Sequence, residues 1–242
     1  IDCKRALAWV RTHIAEYGGN PDSIVVTGGS AGGHLTAMLG LTPNDPKYQP
    51  GFEEVDTRVR AMVPFYGVYD WTGETAPVKY RDGLRDLLER YVVKQKYEDA
   101  PSVFAEASPI VHVNADAPPT MIVHGDLDTL APIAVAREFA DRLRAASRQP
   151  VVFVELRGAH HAFEVFNSIR TLYSIAGVET FLQWVLSATP SEAPAASMPA
   201  PSPGADAQPG NGAPTDGAND PTPTARTGPA PTPPTRVTPG RS

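Results

Sequence analysis

Ser30 is the residue around which covalent chemistry can be built. A serine hydroxyl is a weak nucleophile until a neighbouring base takes its proton, and an imidazole base needs a carboxylate to fix its tautomer. Ser30 stands in Thr27-Gly28-Gly29-Ser30-Ala31-Gly32-Gly33-His34. Gly28-x-Ser30-x-Gly32 is the pattern of a sharp strand-to-helix turn that holds a serine in a strained conformation at its tip. The small residues Gly28, Gly29, Ala31, Gly32 and Gly33 are expected to let that strand and helix pass closely. The N–H of Ala31, just past the serine, is expected to face a developing oxyanion. An ordinary Gly/Ser turn has the same local sequence, so a base and an acid must come from elsewhere in the chain.

Two downstream loops supply them in the order acid, then base. His124-Gly125-Asp126-Leu127-Asp128 offers two carboxylates, and Arg157-Gly158-Ala159-His160-His161-Ala162-Phe163 offers two imidazoles. Only one member of each pair can face Ser30, and spacing alone leaves both choices open. Competing uses of the glycine cluster fail on composition. A phosphate-binding Walker loop needs Lys and Ser/Thr after its last glycine, where this chain has His34-Leu35, and a dinucleotide fingerprint needs glycine where Ser30 stands. No zinc-type ligand spacing is present, so neither a metal nor a cofactor is expected. His34 and His124 are read as scaffold, His13 and His112 as surface residues, and Glu164 as facing solvent.

The patterning of the chain supplies the elements that would position these groups. Asp2 to Tyr17 has a helical apolar period through Ala6, Leu7, Trp9, Val10 and Ile14, stopped by Gly18-Gly19-Asn20-Pro21. Ile24–Thr27 is a short apolar run of the kind a doubly buried strand requires. It leads through the serine turn into a helix over Ala31–Leu41. Further strands are expected at Val59–Tyr66, Pro119–His124 and Val151–Leu156, with helices over Pro132–Ala146 and Thr171–Leu186. The last helix is predicted to turn Leu172, Ile175, Val178, Phe181, Leu182 and Val185 inward. Between the second and third strands, residues 67–107 form a polar, partly helical insertion that could act as a cap. Within it Leu84, Leu87, Leu88 and Tyr91 are predicted to share one face. Strands alternating with helices imply an α/β fold with a mostly parallel sheet wrapped on both sides. Both loops then lie at carboxyl ends of strands, where such sheets bind ligands.

Composition divides the 242 residues at about residue 187. Residues 1–187 have globular patterning. Residues 188–242 hold fourteen of the 26 prolines, are rich in Ala and Thr, and contain no aromatic residue. Such a segment cannot bury enough apolar surface to offset its ordering entropy, so a disordered tail is expected. The net charge of −6 is spread along the chain, with no basic stripe of the kind nucleic acid requires. A lone Cys3 cannot form an internal disulfide. No apolar run reaches the length of a membrane span. Membrane association, oligomeric state and compartment, cytoplasmic or cell-envelope, are not written in the composition. The chain opens on Ile1-Asp2-Cys3 without Met or a signal pattern, and its natural amino terminus is expected to lie upstream.

Three ordered segments together resemble the hormone-sensitive-lipase-type branch of the α/β-hydrolases, close to bacterial carboxylesterases and acetyl-hydrolases. They are Gly28-Gly29-Ser30-Ala31-Gly32-Gly33-His34-Leu35, then Pro118 to Gly125 running on to Asp128-x-Leu130-x-Pro132, then Gly158-Ala159-His160-His161-Ala162-Phe163. The resemblance spans roughly residues 2 to 187. It implies that Asp128 is the acid and His161 the base, and that the substrate is a small carboxylic ester, with short acyl chains expected. An amidase or peptidase using the same groups is the alternative within hydrolases. Gly29 stands where many relatives carry Asp. The family also has a His-Gly-Gly segment upstream of the nucleophile whose N–H groups complete the oxyanion hole. No such segment stands among the 29 residues before Ser30. The chain is therefore expected to be the carboxyl-terminal part of an esterase, with Ile24–Thr27 as an unpaired edge strand. One oxyanion donor is worth about 10²- to 10³-fold in rate, so a truncated product without catalysis is the reading from another class.

Overall fold

The computed structural model describes residues 1–187, and the expected Pro-rich tail, residues 188–242, lies outside the described residues. Four parallel strands form one sheet in the order β1-β2-β3-β4: β1 Val25–Gly29, β2 Ala61–Phe65, β3 Thr120–Gly125 and β4 Val151–Leu156. The helices are α1 Asp2–His13, α2 Ala31–Leu41, α3 Val78–Leu87, α4 Pro101–Glu106, α5 Ile133–Ala146 and α6 Ile169–Ser187. The expected first helix gives way to a 3₁₀ turn over Ile14–Tyr17, where Gly18 at φ +82° closes the end in the left-handed conformation that glycine tolerates. Among the described residues no helix is long and apolar enough to cross a membrane.

Strand alternation divides the core into two layers. On one face Met62 and Ile122 pack with Ala37 and Leu41 of α2 and with Val135, Ala136, Phe139, Ala140 and Leu143 of α5. On the other, Ala61, Val63, Met121 and Val123 pack with Phe181 and Val185 of α6. Neighbouring residues of β2 and β3 are thus buried on opposite faces, which is why both strands read as continuous apolar runs.

The sheet has one interrupted seam. β1 and β2 stay in register from Val25↔Ala61 to Gly29↔Phe65, and β3 and β4 from Thr120↔Val151 to Gly125↔Leu156. Between β2 and β3, Met62 N–H donates to Pro119 O at 3.0 Å and Tyr66 N–H to Val123 O at 2.8 Å. The alternate residue between those two donors is Pro64, which has no N–H to give. A proline in an internal strand removes one rung of the ladder.

Two predicted apolar faces are corrected. Of the stripe in the insertion, Leu88 is buried, but Leu87 and Tyr91 are exposed, Tyr91 by 71%. A π turn over Leu88–Val92 widens the helix past Leu88, so Tyr91 no longer falls on the side of Leu88, while Leu87 points outward from the regular helix before it. In α6, Phe181 and Val185 are buried as expected, whereas Leu172 and Ile175 point outward and Leu172 is 66% exposed. Thr171 and Ser174 take the inward positions of the first turns, where Thr171 Oγ1 donates to Phe166 O at 2.8 Å and Ser174 Oγ to Arg170 O at 2.7 Å.

The insertion leaves β2 through Asp70, a buried carboxylate that sequence reasoning passed over. Its oxygens accept from Thr72 N and Oγ1 at 2.8 and 2.6 Å and from Thr75 N and Oγ1 at 2.8 and 2.7 Å. Burial alone would raise its pKa, but the hydrogen bonds from Thr72 and Thr75 outweigh that and hold it below the usual carboxylate value. This knot fixes how the chain departs from the end of β2.

Candidate active site

The turn between β1 and α2 puts Ser30 at φ +58° and ψ −118°, outside the helical and extended regions. What holds it there is local. Ser30 N–H donates across to Phe65 O at the end of β2, 3.0 Å away, and Ser30 O accepts from His34 N at 3.0 Å to begin α2. The Ser30 N–H is therefore committed to the sheet. Ala31, as the first helical residue, has an N–H with no intrahelical partner, and it lies at the positive end of α2. The glycines around the turn divide by role. A Cβ on Gly28 would come within 2.8 Å of the Gly32 backbone, and one on Gly33 within 2.5 Å of Phe65 O. A Cβ on Gly32 would meet nothing within 4 Å, so it is the Gly32 backbone, not the lack of a side chain there, that shapes the turn.

Ser30, His161 and Asp128 come together from three strand ends. Ser30 Oγ is 2.8 Å from His161 Nε2, and His161 Nδ1 is 2.7 Å from Asp128 Oδ2. An ionised carboxylate only accepts, so Nδ1 carries the proton and Nε2 is left to accept from the serine hydroxyl. Asp126 turns away, its Oδ1 accepting from Gly158 N at 2.6 Å. His160 is exposed, with Nδ1 3.1 Å from Leu127 O. The two alternatives left open by spacing thus separate in space: Asp126 and His160 tie the acid loop to the base loop, and Asp128 and His161 face the serine.

Asp128 is buried and accepts three hydrogen bonds, with His124 close beside it. Its Oδ1 takes Leu130 N at 2.9 Å and Ala131 N at 2.8 Å, and its Oδ2 takes His161 and lies 3.3 Å from His124 Nε2. Burial would raise its pKa, but His124 beside it and the hydrogen bonds from His161 and the two backbone N–H groups hold it well below the usual carboxylate range. His124 is fully buried, with Nε2 2.8 Å from Ala131 O, so it sits under the acid loop as scaffold. His34 is scaffold as well, with Nε2 2.7 Å from Ala107 O and its ring stacked on Trp71 at 4.6 Å. His13 and His112 are half-buried: His13 stacks on Trp9, and His112 Nε2 is 2.7 Å from Glu106 O.

Glu164 corrects an expectation. It does not face solvent: its Oε1 accepts from the Tyr66 hydroxyl, and its Oε2 is buried with no hydrogen-bond partner among the described residues. Burial pushes its carboxyl up, with its own backbone N–H pulling weakly the other way. Tyr66 itself was not singled out from sequence. It sits at φ +33° just past β2, with its ring centroid 4.6 Å from that of His161. The one signal available was the spacing of Glu164, three residues beyond His161.

Residues 1–143 match the sequence profile of the BD-FAE family. The chain belongs to the BD-FAE family. This agrees with its resemblance to hormone-sensitive-lipase-type α/β-hydrolases, and the parallel sheet with helices on both faces is the matching fold. Among curated proteins, this BD-FAE chain is 53% identical over 186 residues to the probable carboxylic ester hydrolase LipM of Mycobacterium tuberculosis, an alignment covering 75% of this chain and 42% of LipM. Among solved structures it superposes on native esterase 2 of Thermogutta terrifontis with a TM-score of 0.62 at 28% identity, covering 79% of this chain and 65% of that one. The butyrate-bound form of the same esterase matches with a TM-score of 0.60 at 28% identity, covering 76% and 63%. The chain spans less than half the length of the curated relatives it matches most strongly.

Proposed function

We propose that this BD-FAE chain carries the reacting groups of a serine esterase acting on carboxylic esters with short acyl chains. The observation that carries the reading is the unbroken hydrogen-bonded line Ser30 Oγ–His161–Asp128, at 2.8 and 2.7 Å. In this mechanism Ser30 Oγ attacks the ester carbonyl carbon while His161 Nε2 takes the hydroxyl proton. Asp128 holds the imidazole in the required tautomer and stabilises the imidazolium that forms. The carbonyl oxygen, now negative, is met by the Ala31 N–H at the start of α2. His161 then returns the proton to the departing alcohol, and the acyl group stays on Ser30. Water, deprotonated by the same imidazole, attacks the acyl carbon; the acyl–Oγ bond then breaks, His161 returns that proton to Ser30 Oγ, and the acid leaves. The short acyl preference is supported by the butyrate bound in the Thermogutta terrifontis esterase. The ester reading is supported by the carboxylic ester hydrolase relatives.

The test uses p-nitrophenyl butyrate, p-nitrophenyl decanoate and a butyryl anilide, together with a fluorophosphonate probe. The chain is expected to hydrolyse the butyrate ester fastest and to be labelled on Ser30. Ser30→Ala is expected to lose both, with hydrolysis down about 10⁴-fold or more. Full hydrolysis by Ser30→Ala, or phosphonate at another residue, would remove the mechanism. Faster turnover of the anilide would replace the esterase with an amidase.

A further inference from the structure

We propose that Tyr66 and Glu164 form a brace that holds the His161 imidazole in register, Tyr66 as a positioning residue and Glu164 as the acceptor that aims its ring. The proposal rests on the reading of His161 as the base. Two hydrogen bonds, one at each ring nitrogen, fix the imidazole along the line from Asp128 to Ser30. They do not stop it from swinging about that line. A contact on the ring face is needed for that, and Tyr66 supplies it, with centroids 4.6 Å apart and planes inclined by 58°. Phe163 backs the tyrosine edge-on at 5.8 Å.

Tyr66 is fixed at both ends. Its N–H donates to Val123 O at 2.8 Å, its backbone is held at φ +33°, and its hydroxyl donates to Glu164 Oε1. The space for that hydroxyl exists because residue 29 has no side chain: a Cβ on Gly29 would lie 2.5 Å from the Tyr66 oxygen. Glu164 follows His161 by three residues in the 3₁₀ turn Phe163–Val165, which Ala162 enters at φ +56°. Base and anchor are therefore carried on one loop, so the brace measures the position of that loop against the end of β2. Simple packing does not account for this arrangement. A phenylalanine would fill the ring site, and an apolar residue at 164 would avoid burying a carboxylate oxygen without a partner, which is costly. The brace needs an acceptor oxygen rather than a charge, because either protonation state of Glu164 leaves an oxygen to receive the hydroxyl.

The experiment combines steady-state hydrolysis of p-nitrophenyl butyrate with proton NMR of the full chain. The NMR follows the low-field signal of the His161 Nδ1–H bonded to Asp128. Tyr66→Phe and Glu164→Ala are expected to lower kcat by about 10- to 100-fold with KM little changed, as small misplacements of reacting groups do. Both are expected to broaden the low-field signal. Glu164→Gln, which keeps an acceptor oxygen, is expected to recover most of the loss seen in Glu164→Ala. The double variant Tyr66→Phe/Glu164→Ala is expected to be no worse than the poorer single variant. Wild-type kcat and an unaltered signal in Tyr66→Phe overturn the proposal, as do equal losses in Glu164→Ala and Glu164→Gln. Absence of turnover by the unmodified chain counts against the esterase reading, while the signal still reports on the brace.

Discussion

Asp128 Oδ2 lies 2.7 Å from His161 while its Oδ1 is occupied by two backbone N–H groups, so the carboxylate cannot turn without breaking its own loop. Asp128→Asn keeps the shape but offers an amide that cannot fix the tautomer, and kcat for ester hydrolysis is expected to fall about 10⁴-fold. The same substitution has a stability signature with a definite sign. A carboxyl whose folded pKa lies below its unfolded value of about 3.9 adds stability that is complete above that value. The contribution is lost as the pH falls toward the depressed folded value, the depression arising from the donors that outweigh burial. The gap in urea midpoint between the protein and Asp128→Asn is therefore expected to be widest near neutrality and to narrow in acid. Of the groups at this scale, Ser30 was suggested by its small neighbours but needed the two downstream loops to set it apart from an ordinary Gly/Ser turn, and Asp128 against Asp126 and His161 against His160 were not separable by spacing. The resemblance favoured Asp128 and His161, and in the structure Asp126 and His160 are spent on joining the two loops. Tyr66 and Glu164 escaped because their partnership spans 98 positions and depends on a positive φ at a tyrosine, which no residue pattern announces.

At the scale of elements, the serine turn works because α2 can lie against β1 and the end of β2 with little between them. A point with no give is Gly33, where a Cβ would sit 2.5 Å from Phe65 O and 2.9 Å from the Gly67 Cα, both backbone atoms that cannot step aside. Gly33→Ala is expected to cost about 1–3 kcal/mol, measured by urea unfolding. Gly32→Ala, one residue earlier and facing open space, is expected to leave stability unchanged or raise it by about 0.5–1 kcal/mol through the helical preference of alanine. The sign difference between adjacent glycines is the check, and equal losses would mean that the turn tolerates neither. Strands were the most legible elements, because β2 and β3 are buried on both faces and so appear as unbroken apolar runs. Helix faces were less so. The 3.6-residue rule placed Phe181 and Val185 correctly near the end of α6, yet it failed at Leu172, where hydroxyl residues face inward. It failed again at Tyr91, where a π turn changes the period.

At the scale of the whole molecule, the sheet carries the candidate site in two parts. β1 and β2 hold Ser30 through Phe65 O, while β3 and β4 hold Asp128 and His161 on loops joined by Leu127 N to Ala159 O at 3.0 Å and Gly158 N to Asp126 Oδ1 at 2.6 Å. Parallel order and helices on both faces followed from the alternation of strand and helix patterns. The weak seam did not, because Pro64 declares itself only once its neighbours' N–H groups are seen to point at β3. Loss of ester hydrolysis in urea is expected at a lower concentration than loss of helical circular dichroism. Coincident curves would argue that the sheet yields as one piece. Pro64 thus leaves the ladder between β2 and β3 one hydrogen bond short. With that rung missing, the seam between the half of the sheet that holds Ser30 and the half that holds Asp128 and His161 is the one expected to open first under strain. On the serine-esterase reading, a stressed chain is then expected to stop turning over ester while still folded, and to regain turnover when that one seam closes, without folding again.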